Sequence, residues 1–533
     1  MSNSAETVVV GEHLRPEEVA AVARADATVE LAESARKRVR KSRARVKSVI
    51  ESGEPVYGIN TGFGELVTER IPPEELEELQ VNLVRSHASG QGAELDREVV
   101  RALLLTRLHA LSLGYSGVRE VVVDTLAGML NEGIHPVVRA RGSLGASGDL
   151  APLAHLALVL IGEGEADVDG VGRLSGEEAL AHGGLEPVSL APKEGLALIN
   201  GTQLTVGLGA LAVVDADSLL DVADAAGALT TEVGMGTTVN SNEAIADVRP
   251  HPGHRVSAAN VRRLTAGSEI VESHRNCDRV QDAYSLRCLP QVHGAIREAV
   301  AHLRAAVERE LNSATDNPLI FDASEIGPRT SQTETAAVVS GGNFHGAPLA
   351  HRLDYAADAL TDLAAMSERR VDRLLNPNLQ EPHLPPFLAT NSGLESGLMI
   401  AQYTAASLVN DCRARGSPAI DNTPVSGGQE DHVSMSATSA LELVDVLASV
   451  RSVLAIELLC GVEAAEYVDD DLAHGAGTAV VYETVRQRVS PLTEDRPLDS
   501  DIDAIADAIK TGRLHERLDE ALEGGFVGFD GNL

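Results

Sequence analysis

The sequence predicts a mainly α protein, with a loop-rich N-terminal part joined to a long central helical bundle. Three observations predict it. Apolar residues recur at spacings of three and four along most of the chain, which places them on one face of a helix. Apolar–polar alternation, the mark of a half-buried strand, is scarce. No Pro/Ser-rich linker, low-complexity tract or internal repeat divides the 533 residues, although that length alone allows roughly three domains. Residues 1–203 make up the N-terminal part and residues 204–533 the bundle, and the missing linker predicts one continuous folding unit.

The elements follow in order. Leu31, Ala35, Val39, Val46, Val49 and Ile50 mark the apolar face of a first helix, whose basic run Arg36–Lys47 occupies the solvated face. Leu83–His87, Val99–Leu113 and Val118–Leu130 continue the helical pattern. Ala151–Ile161 is apolar nearly all round and predicts a buried helix. Gly162–Gly172 reads as a Gly/Asp-rich loop or hairpin; its Asp167-Val168-Asp169-Gly170 lacks the remaining ligands of a calcium loop. Long helices are expected over Leu204–Thr231, Ala295–Leu311, Ala347–Leu375, Ser396–Asn410 and Ala437–Ala464. Alanine is abundant there, as where helices pack closely. Long Ala-rich helices with few aromatics often bury faces between subunits, so a homo-oligomer is expected.

Charge excludes several functions. Lys+Arg is 44 and Asp+Glu 79, so the formal charge is 44 − 79 = −35. Nucleic acid and anionic membrane surfaces both need a basic face, so neither is expected as a partner. A hydrophobic content of 44% supports a large core rather than an acidic disordered chain. Only Lys37, Lys41, Lys47, Lys193 and Lys510 are lysines, and there is no Trp. This is a halophile-type composition, with an acidic mesophilic enzyme as the alternative. Its self-repulsion is expected to destabilise the fold when salt is removed. Cys277, Cys288, Cys412 and Cys460 are too few for a disulfide framework and show no CxxC spacing. There is no HExxH, so no metal is expected. Met1–Glu18 lacks an apolar core for a signal peptide, and the apolar runs Leu156–Gly162 and Leu204–Val214 are too short to span a bilayer. A soluble, cytoplasmic protein is expected.

The most informative segment is Gly142-Ser143-Leu144-Gly145-Ala146-Ser147-Gly148-Asp149-Leu150-Ala151-Pro152-Leu153. Small residues precede a helix for which Asp149 is the candidate N-cap and Pro152 an early position. The segment resembles the prosthetic-group loop of the aromatic amino acid ammonia-lyase family, above all its histidine-specific branch. The resemblance implies that Ala146, Ser147 and Gly148 cyclise to 4-methylidene-imidazol-5-one (MIO). The Gly148 nitrogen attacks the Ala146 carbonyl, and loss of two waters leaves a methylidene at Ser147. Glycine permits that close backbone approach, serine carries the hydroxyl that is eliminated, and a helix N-terminus sets a positive dipole end beside the electrophile. No metal or diffusible cofactor is implied.

Further motifs match the family in the same order along nearly the whole chain. They are Tyr57-Gly58-Ile59-Asn60-Thr61-Gly62-Phe63-Gly64, Ser86-His87-Ala88-Ser89-Gly90 and Asn200-Gly201-Thr202-Gln203. Next come Gln281, Tyr284 and Arg287, spaced to share a helical face or rim, with Ala283 in place of a common proline. Asn312 and Asp316-Asn317-Pro318 match an architectural segment, Gly341-Gly342-Asn343-Phe344-His345-Gly346 an aromatic one, and Gln429-Glu430-Asp431-His432-Val433-Ser434 the last.

The resemblance implies a role for each. Tyr57 is the candidate base for the substrate's β-proton; an ordinary tyrosine has pKa ~10 and needs a lowered value. Arg287 pairs the substrate carboxylate through its planar fork. Tyr284 and Asn200 orient or polarise the prosthetic group, Gln281 helps hold the substrate, and Phe344 packs beside the group. His87 and Glu430 set specificity. A carboxylate at 430 can accept an imidazole N–H and would be left unpaired against phenylalanine. L-histidine is therefore the expected substrate, with trans-urocanate and ammonia as products. The resemblance also implies a fumarase/aspartase-like helical architecture and a homotetramer with sites shared between subunits. The fumarase/aspartase superfamily itself is disfavoured, because its Gly-Ser-Ser-x-Met-Pro-x-Lys-x-Asn signature is absent. A tyrosine or phenylalanine ammonia-lyase, or an MIO-dependent aminomutase, is the alternative.

Overall fold

A computed structural model describes residues 7–53, 56, 58–59, 72–275, 279–327, 331–420 and 423–529. The chain is mainly helical, as its periodicity predicts, with short strands. It divides into two compact units. One comprises Met1–Val214, Arg304–Asp354 and Ser417–Leu441; the other comprises Asp215–Leu303, Tyr355–Gly416 and Glu442–Leu533. Four of its five cuts fall within the long helices Gln203–Val233, Leu289–Leu311, Ala347–Leu375 and Ser436–Ala465, and the fifth, between Gly416 and Ser417, follows the helix Met399–Ala414.

The first unit holds the named strands. Thr7–Val10 pairs in parallel with Thr28–Leu31, so Leu31 belongs to a strand and its helix starts at Glu33. Gly162–Gly172 forms the expected hairpin, with Glu165–Val168 paired to Gly172–Ser175. Its acidic loop binds side chains of this chain: Asp167 pairs with Arg173, and Asp169 with Arg97 and His135. On the first helix Arg36, Arg40 and Arg45 pair with Asp124, Glu120 and Asp322. Arg43 departs from the expected solvated face: it is buried and donates to the carbonyls of Gly117 (3.1 Å) and Pro192 (2.9 Å).

The helix Arg97–Ser112 is buried along nearly its whole length and packs against Pro16–Arg24 and Glu120–Asn131. The helix Leu150–Leu160 is buried as its composition predicts. Asn312 ties the chain's beginning to this unit, because its side-chain amide exchanges hydrogen bonds with both backbone groups of Leu14.

The second unit is a set of helices. Val261, Leu289 and Met366 form one of its apolar clusters, joined by Val292. Fully buried Arg370 and Glu457 form an ion pair there, and Glu457 also accepts from Thr230 (2.9 Å) and Ser367 (2.6 Å). Among the described residues no helix is long and apolar enough to cross a membrane.

Candidate active site

Two antiparallel strands bring distant parts of the sequence to the Ala146–Gly148 loop. Gln91–Glu94 follows the helix ending at His87, and it pairs with Arg139–Arg141, which runs into Gly142. A Cβ on Gly142 would lie 3.2 Å from the Gly90 Cα, so the histidine segment abuts the start of the loop. His87 is half-buried, and its Nδ1 donates to the Leu83 carbonyl at 2.8 Å. The contact holds Nδ1 as a donor, so the tautomer it selects leaves Nε2 as the acceptor.

The far end of the loop is held by the Asn200-Gly201 segment. Gly148 forms a bridge with Gly201, and the Asp149 N–H donates to the Gly201 carbonyl at 2.7 Å. At Gly148 φ is +75°, and a Cβ there would lie 2.2 Å from the Gly201 oxygen. Any side chain would collide with backbone. Asp149 does occupy the N-cap position, but its side chain makes no cap hydrogen bond. Its buried carboxylate instead accepts from Ser143 Oγ (2.8 Å) and from the N–H (2.9 Å) and Oγ1 (3.1 Å) of Thr205. These donors take the place of the helix N–H groups as partners of the carboxylate. Burial raises the pKa of Asp149 despite these donors.

Ser147 lies between two of the expected residues. Its Oγ donates to Glu430 Oε1 at 2.7 Å, and its carbonyl accepts from Asn200 Nδ2 at 2.7 Å. Two more segments dock on the loop. Gly346 N–H and Ser434 Oγ donate to the Gly145 carbonyl at 2.9 and 3.0 Å, and Met435 N–H donates to that of Leu144 at 2.8 Å. Half-buried Phe344 therefore belongs to a segment anchored two residues away. The rings of His345 and His432 stack with centroids 5.6 Å apart, joining the Phe344 and Glu430 segments. Asn317 receives Gly341 N–H at 2.7 Å, which fixes the other end of the Phe344 segment.

An aromatic amino acid lyase model matches residues 14–487 of the chain. The chain belongs to the aromatic amino acid lyase family. A probable histidine ammonia-lyase of Halobacterium salinarum is 61% identical over 516 residues, covering 97% of this chain and 98% of that protein. The crystal structure of histidine ammonia-lyase from Trypanosoma cruzi superposes with a TM-score of 0.87 at 38% identity, covering 97% of this chain and 96% of that one. Tyrosine aminomutase from Streptomyces globisporus reaches 0.90 at 36% identity, covering 98% and 100%. The architecture is thus that of the helical lyases, as expected.

Seen as an aromatic amino acid lyase, the chain places its remaining expected residues as follows. Tyr57 and Asn60–Gly64 lie outside the described residues, as does Cys277. Val56 and Ile59, flanking Tyr57, are buried with Val46, Val49 and Ile320. Gln281, Tyr284 and Arg287 belong to the second unit. They do not share a helix: Tyr284–Arg287 is a single turn and Gln281 precedes it, although Arg287 Nη1 reaches Gln281 Oε1. A turn of four residues does not reach back to Gln281, so the three do not lie on one helical face.

Sequence reasoning missed the groups behind Asn200. Fully buried Arg107 donates to the Asn200 carbonyl at 2.8 Å, and burial lowers its pKa to about 10. Lys193 pairs with Asp316 at 3.0 Å, both buried, and burial lowers the lysine's pKa. Thr202 donates to Glu310, whose pKa burial raises. A basic residue within the apolar run Leu103–Leu111 was the available signal.

Proposed function

We propose that the protein is an ammonia-lyase that converts L-histidine to trans-urocanate and ammonia, the first step of histidine degradation, using MIO formed from Ala146, Ser147 and Gly148. The environment of Ser147 and Gly148 carries this reading. Gly148 takes a backbone approach closed to any side chain, and Ser147 is held at both its carbonyl and its hydroxyl. The residues present fit the group. Glu430 touches the hydroxyl on the carbon that becomes the methylidene, which supports its role against the substrate imidazole. The Halobacterium relative supports the same substrate.

When formed, MIO supplies an electrophile that takes up either the substrate's amine or its ring. The chain's own residues do the rest. Asn200 polarises the Ser147 carbonyl. Glu430 accepts the imidazole N–H, and His87 offers Nε2 as a second acceptor. Arg287 binds the carboxylate, Gln281 helps hold the substrate, and Tyr284 orients or polarises the group. Phe344 packs beside the prosthetic group. Tyr57 removes the β-proton.

We extend the reading to a cytoplasmic homotetramer with shared sites, adapted to multimolar salt. Tyr284 is 72% exposed, which suits a residue that completes a site on another copy. The charge of −35 supports the salt adaptation. An MIO-dependent aminomutase is the second reading, supported by the TM-score of 0.90.

Ultraviolet absorbance during incubation with L-histidine, L-phenylalanine or L-tyrosine, at low salt and in multimolar KCl, tests the proposal. Urocanate absorbance with histidine alone is expected, strongest in high salt. Cinnamate-type absorbance would overturn the role of Glu430, and a β-amino acid product would establish the aminomutase. No product from any of the three would overturn the reading.

A further inference from the structure

The turn Tyr284–Arg287 has four residues. One helical turn does not compensate for the ordering of its own residues, and its last carbonyls have no partner within the helix. Packing holds the turn at Leu286, which is buried, but not at Tyr284, which is exposed. A neighbouring turn holds the segment at both ends. Before it, Asp282 Oδ2 accepts from Thr237 N–H at 2.8 Å. After it, Asn240 Nδ2 donates to the carbonyls of Leu286 (2.9 Å) and Arg287 (3.0 Å). Both N–H groups of one amide therefore go to the backbone end that carries Arg287. The clamp is itself braced: Arg262 donates to the Ser241 carbonyl at 2.5 Å, and Arg279 pairs with both Asp282 (2.9 Å) and Glu381 (2.5 Å).

We propose that Asn240 is a positioning residue for the carboxylate-binding end of the site, presetting the direction of the Arg287 guanidinium before substrate arrives. This rests on the assignment of Arg287 under the proposed function. A guanidinium recognises a carboxylate through two parallel N–H bonds, so a small swing of its backbone costs the second bond. The effect of Asn240 therefore falls on ligands that have a carboxylate and spares those that lack one.

The test uses the full-length enzyme in multimolar KCl. Binding of imidazole-4-propionate, which keeps a carboxylate, and of L-histidinol, which has none, is measured by calorimetry, together with kcat and KM for L-histidine. In Asn240→Ala, KM and the propionate Kd are expected to rise about tenfold, with L-histidinol binding unchanged and kcat less affected. Asn240→Asp keeps the size but has no N–H to donate and should match or exceed this loss. It carries the same test should the alanine variant not fold. Asn240→Gln, which keeps the amide, should recover part of the affinity. Unchanged propionate binding in Asn240→Ala, or equal weakening of both ligands, would overturn the proposal. Arg287→Ala separates the two levels. If it leaves propionate binding intact, the assignment of Arg287 fails, and the role of Asn240 with it.

Discussion

The hydroxyl and the carbonyl of Ser147 each meet one of the residues on which the proposed chemistry depends. Glu430 is 283 positions away in sequence and 2.7 Å away in space. Ser147→Ala removes the oxygen that must leave to form the methylidene. It should fold with unchanged helicity by circular dichroism and lose activity by several orders of magnitude in the urocanate assay. Full activity would discard the MIO reading. Glu430→Gln keeps the shape but loses the charge, and should lower kcat/KM for L-histidine about tenfold or more while shifting Tm little. A rate equal to wild type would remove Glu430 from specificity. Gly148→Ala is a steric test, since its Cβ would lie 2.2 Å from the Gly201 oxygen. Absence of MIO absorbance in the purified variant is expected.

Elements place these residues by joining segments that the sequence keeps apart. Two short strands set the His87 segment against the start of the loop, and one glycine bridge sets Asn200 against its end. The helix Arg97–Ser112, whose Arg107 donates to the Asn200 carbonyl, carries a titratable group of its own. His109 is fully buried, and its Nδ1 accepts from Gly11 N–H at 3.3 Å. Burial lowers its pKa to about 4. The unfolded chain, with an ordinary histidine near 6.5, binds more protons than the folded one between those values. Stability therefore holds above pH ~6.5 and falls as pH drops towards 4, by about 3 kcal/mol in all for this group. Denaturant midpoints across that range should show the loss, and His109→Gln, which keeps an acceptor for Gly11, should flatten it.

At the scale of the molecule, charge dominates. Even if every basic residue paired, 79 − 44 = 35 carboxylates would remain without a cation of the chain. Arginine supplies nearly all the pairing cations, as in the links of Arg173 to Glu94 and Asp167. Exposed pairs of this kind contribute little each and are screened by salt, whereas the unpaired excess repels itself most when salt is low. Tm and activity should both rise as KCl increases from millimolar to multimolar, and a salt-independent Tm would overturn the halophilic reading. The buried Arg370–Glu457 pair should behave differently. Glu457→Gln leaves a buried guanidinium without its charge partner and should cost about 3–5 kcal/mol at any salt concentration.

Helical class, most helix positions and the order of the chemical motifs were legible in the sequence, because periodicity and short motifs are local properties. Leu204–Thr231 was readable as a helix since its side chains repeat at the helical period, and Gly142–Leu153 as a loop of the aromatic amino acid lyase family since its residues match that family's motif. Where pairing between distant segments decides, the sequence is silent. Leu31 joined a strand because Val10 lies beside it. Asp149 turned from its helix because Thr205 and Ser143 offered donors. Arg107 became a support for Asn200, and the turn Tyr284–Arg287 found its carbonyl partners in Asn240. A backbone group or carboxylate without a local partner takes the nearest donor or acceptor in space, and only the tertiary structure decides which group that is.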